Sequence, residues 1–356
     1  MCIRDRHYGY KPDNIKRDDL SWEKNQMINA GIDLQMFDGY IGFSVDYYNT
    51  NTSNMLLYVP VPLLTGYSTS LQNLGKVNNR GWELALTSQH TFANGFGYSF
   101  NANYAKNTNE VKELGPGNAP IISSGSVGHA YYITEVGKPI GNYYLLVQDG
   151  IFATEEDLKK YPHFDNTEVG DFRFVDVDGD GKLDLDKDRT ICGNYMPKFT
   201  YGFGGKLWYA GFDMDFNFQG VYGNKILNLN KRYLDNMEGN TNGTKIALDR
   251  WKSPENPVSG SVNKANRKQT GYNSRTSTWH LESGSYLRLQ NLSLGYTLPR
   301  ALTQKFKVEK MRVYVSGQNL FTITNYSGYN PEVNARPSKN LTPGEDYGTY
   351  PLARTY

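Results

Sequence analysis

The residues best suited to chemistry are acidic and lie between Phe174 and Thr190, in FVDVDGDGKLDLDKDRT. Asp176, Asp178, Asp180 and Asp184 recur at alternate positions around Gly179 and Gly181. A hard cation takes several oxygens at close range, and a tight Gly-containing turn brings alternate side chains inward. Asp176, Asp178 and Asp180 fit the first, third and fifth places of a calcium loop. Gly181 fits the turn, Lys182 would offer its backbone carbonyl, and Asp184 fits the ninth place. The twelfth place holds Lys187, flanked by Asp186 and Asp188, so the register departs from the standard one. Two readings stay open: a structural Ca2+ site, or an Asp/Gly turn whose carboxylates accept from its own amides. Neither flank reads as a helix, so a calcium-sensing helix pair is excluded.

Elsewhere the reactive residues are scattered. His7, His90, His129, His163 and His280 make no pair at metal-ligand spacing. There is no G-x-S-x-G elbow and no phosphate-binding loop. No acid/base pair stands out, so no catalytic residue is assigned and an enzyme is not expected. Trp251 and Trp279 lie in or beside a long polar stretch, where exposed rings would stack on substrate. Asp213 and Asp215 share the polar face of FDMDFNFQ, where they would contact substrate or hydrate an interior. Trp82 and Trp208 read as interface anchors.

The elements that position these residues are strands. In FDMDFNFQ, Phe212, Met214, Phe216 and Phe218 alternate with Asp213, Asp215, Asn217 and Gln219. YIGFSVDYY, YSFNANYA and RVYVSGQN repeat the pattern, giving each segment one apolar and one polar face. In YLRLQNLSLGYTL the phase slips near Gln290 and Asn291, which predicts a bulge. A short helix is expected over 154–161 with Thr154 as its N-cap. Tight connections at 37–40, 92–98 and 208–212 contrast with loop-like polar stretches at 106–130, 236–280 and 327–350. GYNPEV, from Gly328, reads as an ordering turn in the last of these.

The chain carries 38 basic and 36 acidic residues, with no block of either sign, so a nucleic-acid partner is not expected. No stretch approaches the roughly 18 apolar residues of a membrane helix. Short turns on one side, long loops on the other and 28 Tyr point to an all-β transmembrane antiparallel barrel. The alternative is a soluble extracellular β-sandwich that binds glycans with calcium help, since it too has one apolar face per strand.

Several blocks, in order from about residue 20, resemble the SusC/RagA family of TonB-dependent outer-membrane transporters. They are LSWEKNQMINAGIDLQMFDGYIGFSVDYYNTNTSNMLL, NLGKVNNRGWELAL, GKPIGNYYLLVQDGIF, DVDGDGKLDLDKDRTICGNYMPKFTYGF, SYLRLQNLSLGYTLP and VYVSGQNLFTITNYSGYNPEV. In the second, Asn78, Gly81 and Glu83 match the family motif. Asp188 matches the acid that members place before Arg–Thr, which adds it to the candidate cation ligands. The resemblance implies import of oligosaccharide or peptide across the cell outer membrane, in contact with its lipid. It also implies a SusD-like lid lipoprotein, and TonB coupling through an N-terminal part not in this chain. It begins in mid-barrel and stops a strand short. The expectation is therefore a partial barrel over 20–356, a fragment lacking the plug and final strand, with 1–19 outside the family pattern.

Overall fold

The computed structural model describes residues 15–356 except 19, 68, 74, 128, 239, 240 and 268–270; Cys2, His7 and the opening MCIRDR lie outside them. Eight long strands form one antiparallel sheet in chain order. They are β1 (Lys24–Met36), β2 (Ile41–Ser53), β3 (Lys76–Thr91), β4 (Gly97–Glu113), β5 (Phe199–Tyr209), β6 (Phe212–Tyr222), β7 (Tyr286–Thr297) and β8 (Arg312–Thr324). The sheet is open, a partial barrel wall with β1 and β8 at its edges. Thr355 returns to the free side of β8, exchanging two backbone hydrogen bonds with Gln318.

Register turns the alternation of each strand into two continuous faces. One rung runs Ile32, Val45, Leu84, Tyr104, Tyr201, Gly220, Leu287 and Ile323. The adjacent rung, on the other face, runs Asp33, Ser44, Ala85, Asn103, Gly202, Gln219, Arg288 and Thr322. The apolar face is uncovered: Val315 is 74% exposed, and Ile32 and Ile323 are each 63% exposed. A sandwich would stack a second sheet on that face about 10 Å away. Among the described residues none does so, and the buried clusters take only Val77 and Val111 from the wall. The soluble sandwich is thereby overturned.

Aromatic residues rim the apolar face at both ends. Near the short turns, Tyr40, His90, Phe92, Phe96 and Tyr209 form a chain of ring contacts 4.4–6.5 Å between centroids. At the other end Tyr47 meets Trp82 at 4.8 Å, and Phe199 meets Tyr104 at 5.3 Å and Tyr222 at 4.9 Å. From Phe199 to Tyr209, ten steps of about 3.3 Å give roughly 33 Å along the strand. A tilt of about 40° leaves roughly 25 Å of height, that of the apolar band in outer-membrane barrels.

The turns follow their residues. Phe37, Asp38 and Gly39 (φ 55°, 52° and 87°) close β1–β2, and Ala210 with Gly211 (φ 49° and 87°) closes β5–β6. The bulge falls where the phase slips, with the register of β7 shifting between Leu289 and Asn291 against both neighbours. The helix spans Glu155–Lys160 under a capping box: the Asp157 amide donates to Thr154 Oγ1 (3.3 Å), and Thr154 N–H donates to Asp157 Oδ2 (2.9 Å).

The longest connections, 54–75, 114–198 and 223–285, leave the end opposite the tight turns, where much of their length packs together. The connection 298–311 between β7 and β8, with a helical turn at Arg300–Thr303, lies at the tight-turn end. A four-stranded sheet contains Arg189–Gly193, Asn142–Leu146, Tyr131–Thr134 and Ile121–Ser124, in that order. A three-stranded one joins Leu281–Ser283, Lys225–Asn228 and Glu345–Asp346. One loop expectation needs correction. Residues 106–113 continue β4, paired with β3 as far as Glu113. Above the apolar band lipid no longer demands an apolar outer face, so no alternation marks the strand, and Val111 is buried by the loops packed against it. Residues 236–280 are polar yet packed: Asn263, Asn273, Ser277 and His280 are each 0% exposed.

Candidate functional site

The acidic loop connects the short strand Phe172–Phe174 to Arg189–Gly193. Its carboxylates take the loop's own amides. Asp176 accepts from Gly179 (2.7 Å) and Gly181 (2.9 Å), and Asp178 accepts from Asp180 (3.2 Å). Asp188 is buried and reaches back to accept from Val177 (2.8 Å) and Asp184 (2.6 Å). Gly179 and Gly181 have φ of 74° and 81°, which accounts for glycine at both positions. One carboxylate oxygen each from Asp176, Asp178 and Asp188 lies within 4.8 Å of the others. Asp180 stands apart, accepting from the Lys182 amide (2.9 Å) and lying 3.9 Å from Lys187 Nζ. Asp184 accepts from the Asp186 amide (2.6 Å), and this bond holds its carboxyl below the usual range. Of the six sequence candidates, the structure thus gathers Asp176, Asp178 and Asp188. No ion pair neutralises these three among the described residues; Lys187 faces Asp180, and Arg189 faces Asp186 at 3.3 Å. Each amide bond uses one lone pair of a carboxylate oxygen and leaves another free, so a hard cation fits this trio.

On the polar face of the wall, Arg312 grips Asp213 through Nε (2.9 Å) and Nη2 (2.5 Å). That bidentate pair ties β6 to β8 near the short turns. Asp215, two residues on, accepts from Asn291 Nδ2 (3.3 Å) and remains exposed.

The two candidate tryptophans, Trp251 and Trp279, are not exposed surface rings. Trp251 is 9% exposed and packs with Leu146, Ile151, Phe164, Phe172 and Phe174. Trp279 is half-buried, 5.2 Å from the Phe172 ring, with Lys231 Nζ 4.1 Å from its centroid. Both anchor the packed end, which corrects the expectation of exposed rings in a polar loop.

Sequence reasoning missed the groups that bind the last long segment to the rest. Arg288, on the polar face of β7, pairs with Glu332 and donates to Asn330 Oδ1 (2.7 Å). Tyr286 OH donates to Glu332 as well (2.5 Å). GYNPEV therefore fastens the segment to the inner wall. Farther on, Glu345 is 0% exposed and accepts from the Ser126 amide and hydroxyl and from Tyr132 OH (3.1 Å). Burial drives the Tyr132 phenol well above its ordinary range. Arg288 was visible as a lone charge on a polar face; Glu345 carried no signal. Between this segment and the inner mouth lies a cavity of about 260 Å³, lined by Asn79, Asn109, Tyr195, Met196, Asn334 and Lys339 among others.

Residues 7–320 match the family described as TonB dependent receptor-like, beta-barrel. The chain is 34% identical to TonB-dependent receptor P3 of Formosa agariphila, over 96% of this chain and 34% of that one. It is 26% identical to TonB-dependent receptor SusC of Bacteroides thetaiotaomicron, over 99% of this chain and 33% of the other. It superposes on a chain of the RagAB peptide transporter with a TM-score of 0.77 at 25% identity, covering 99% of this chain and 37% of that one. The chain thus spans about a third of the length of these relatives.

Proposed function

Because the chain belongs to the TonB-dependent receptor-like β-barrel family, we propose that it forms wall and outer face of an outer-membrane importer. The cargo is an oligosaccharide or a peptide, a SusD-like lipoprotein closes the outer face, and TonB supplies the energy. The observation that carries this reading is the uncovered apolar face of the eight-stranded wall, bounded by aromatic rows at both ends. Such a face is stable in hydrocarbon and unstable in water. The packed long connections put a broad, ordered polar surface beyond one end of the wall, where a lid can seat. The neutral amides at the inner mouth suit a cargo rich in hydroxyls or peptide groups, and binding followed by release needs no covalent step.

The acidic trio belongs to the same proposal. Ca2+ held by Asp176, Asp178 and Asp188 would brace the connection between β4 and β5. The importer reading is tested by fractionating cells that express the full-length protein. Outer-membrane partitioning with heat-modifiable gel migration is expected, and recovery wholly in the soluble fraction contradicts it. Co-purification of a lipoprotein tests the lid, and mass spectrometry of bound material tests the cargo class.

A further inference from the structure

The wall strands stay paired across the apolar band, but β4 and β5 part just above it. Their register ends at Ala105–Thr200, while β4 runs on to Glu113 paired with β3. Next to the parting is a cleft of about 510 Å³, lined by Tyr104, Lys106, Asn107, Pro139, Lys198 and Phe199 among others. Tyr104 and Phe199 form its floor, their rings 5.3 Å apart, and both belong to the outer aromatic row. Lys106 sits directly above, opposite Trp82 and so on the apolar, lipid-facing register of the sheet. Lys198, the residue just before β5, borders the cleft on its other side, its stem lying along Gly223.

Charge at this height is lopsided. Lys106 and Lys198 are exposed, and neither has a carboxylate within ion-pair distance among the described residues. On the same outward face Arg80 and Lys112 share one carboxylate, Glu110, at 3.8 and 2.7 Å. With the Lys76–Glu113 pair at the end of β3 included, five cations stand against two acids where hydrocarbon gives way to headgroups. Lysine stems can lie on the aromatic floor while their ammonium groups meet an anion.

We infer that this cleft binds the phosphate-bearing headgroup of an outer-membrane glycolipid, taken from the lipid side. Phosphate meets Lys106 and Lys198, and the adjoining sugar or methylene groups lie on Tyr104 and Phe199. A headgroup held there bridges β4 and β5 where their own ladder has ended. The inference rests on the membrane-spanning reading of the wall.

The test uses the full-length protein carrying this chain, extracted from outer membranes in mild detergent. Wild type and the Lys106→Gln/Lys198→Gln variant are compared by native mass spectrometry. The micelles contain a diphosphorylated glycolipid, the same lipid stripped of phosphate, or the diphosphorylated lipid with inorganic phosphate as competitor. Wild type should retain the phosphorylated lipid in a salt-sensitive manner. The double variant should retain it roughly thirtyfold more weakly, the loss expected for two cations at an anionic surface. Lys106→Arg/Lys198→Arg should restore retention. Equal retention by wild type and the glutamine variant overturns the inference, as does equal retention of the stripped lipid. Displacement by inorganic phosphate at the lipid's own concentration overturns it in favour of a free-phosphate site. Heat-modifiable migration of both proteins separates the two levels: a normal barrel without selective retention sinks the cleft alone, whereas failure to reach the membrane sinks the reading beneath it.

Discussion

Replacing Glu332 should loosen the last long segment from the wall. Arg288 is buried, its side chain 5% exposed, whereas the Glu332 side chain is 35% exposed. Removing one partner of a fully buried pair costs about 3–5 kcal/mol, because the other charge stays behind unpaired. Solvent already screens part of this pair, which lowers the figure. Glu332→Ala also strips Tyr286 OH of its acceptor, while Arg288 keeps Asn330 and Thr322. About 2–3 kcal/mol is the expected loss, which raises local opening on the order of 30- to 150-fold. Hydrogen exchange reads this directly, since the Ala335 amide is bonded to the Glu345 carbonyl (2.8 Å) and the Leu227 amide to that of Gly344 (3.0 Å). Both amides should exchange faster by that factor, with Glu332→Gln intermediate. Unchanged exchange in Glu332→Ala would show that GYNPEV is held by shape and not by this ion pair.

Three further outcomes follow from other parts of the molecule. His280 is fully buried and its pKa is pushed down to about 3, chiefly by burial and then by Lys231 and Arg232. The unfolded state, titrating near 6.5, binds the proton more readily. His280 therefore favours folding fully above about pH 6.5 and progressively less as pH falls toward 3. Exchange of residues 276–283 should accelerate over that window, and His280→Gln should flatten the slope. If Asp176, Asp178 and Asp188 hold Ca2+, a hundredfold excess over Kd adds about 2.7 kcal/mol to thermal stability. Asp178→Asn, which keeps a carbonyl oxygen for the Asp180 amide but removes the carboxylate charge, should abolish that gain while changing metal-free stability by about 0.5 kcal/mol or less. Leu292→Arg, on the apolar face opposite Phe216, should cost about 2–4 kcal/mol and cut the yield of inserted barrel. Ser293→Arg, one residue along and on the other face, should be tolerated in the same gel assay.

The wall was legible because membrane and lumen impose opposite demands on alternate residues. Phe212, Met214, Phe216 and Phe218 against Asp213, Asp215, Asn217 and Gln219 leave one way to lay the strand. The slip near Gln290 located the bulge for the same reason. Above the membrane that constraint lapses. Lys106, Thr108 and Glu110 alternate with Asn107 and Asn109, polar on both sides, so the upper half of β4 read as loop. The packed end was hidden for another reason. Trp251 is buried by Phe164 and Phe172, and Glu345 by Ser126, partners distant in sequence and recognisable only once brought together. In the acidic loop, the repeat of Asp and Gly identified the turn. It could not show that Asp188 folds back onto Asp176 and Asp178 while Asp180 turns toward Lys187.

The direction in which the wall faces is open to direct measurement. With every native cysteine replaced by serine, Cys192 among them, single cysteines at Leu84, Phe203, Asn103 and Asn101 would carry a bimane label in the membrane-reconstituted full-length protein. Leu84 and Phe203 lie on the apolar register, Asn103 and Asn101 on the polar one. Nitroxide-bearing lipid should quench the labels at 84 and 203 and spare those at 101 and 103, which a water-soluble quencher should reach instead. Equal quenching at all four sites, or the reverse pattern, would contradict a wall whose apolar face meets lipid.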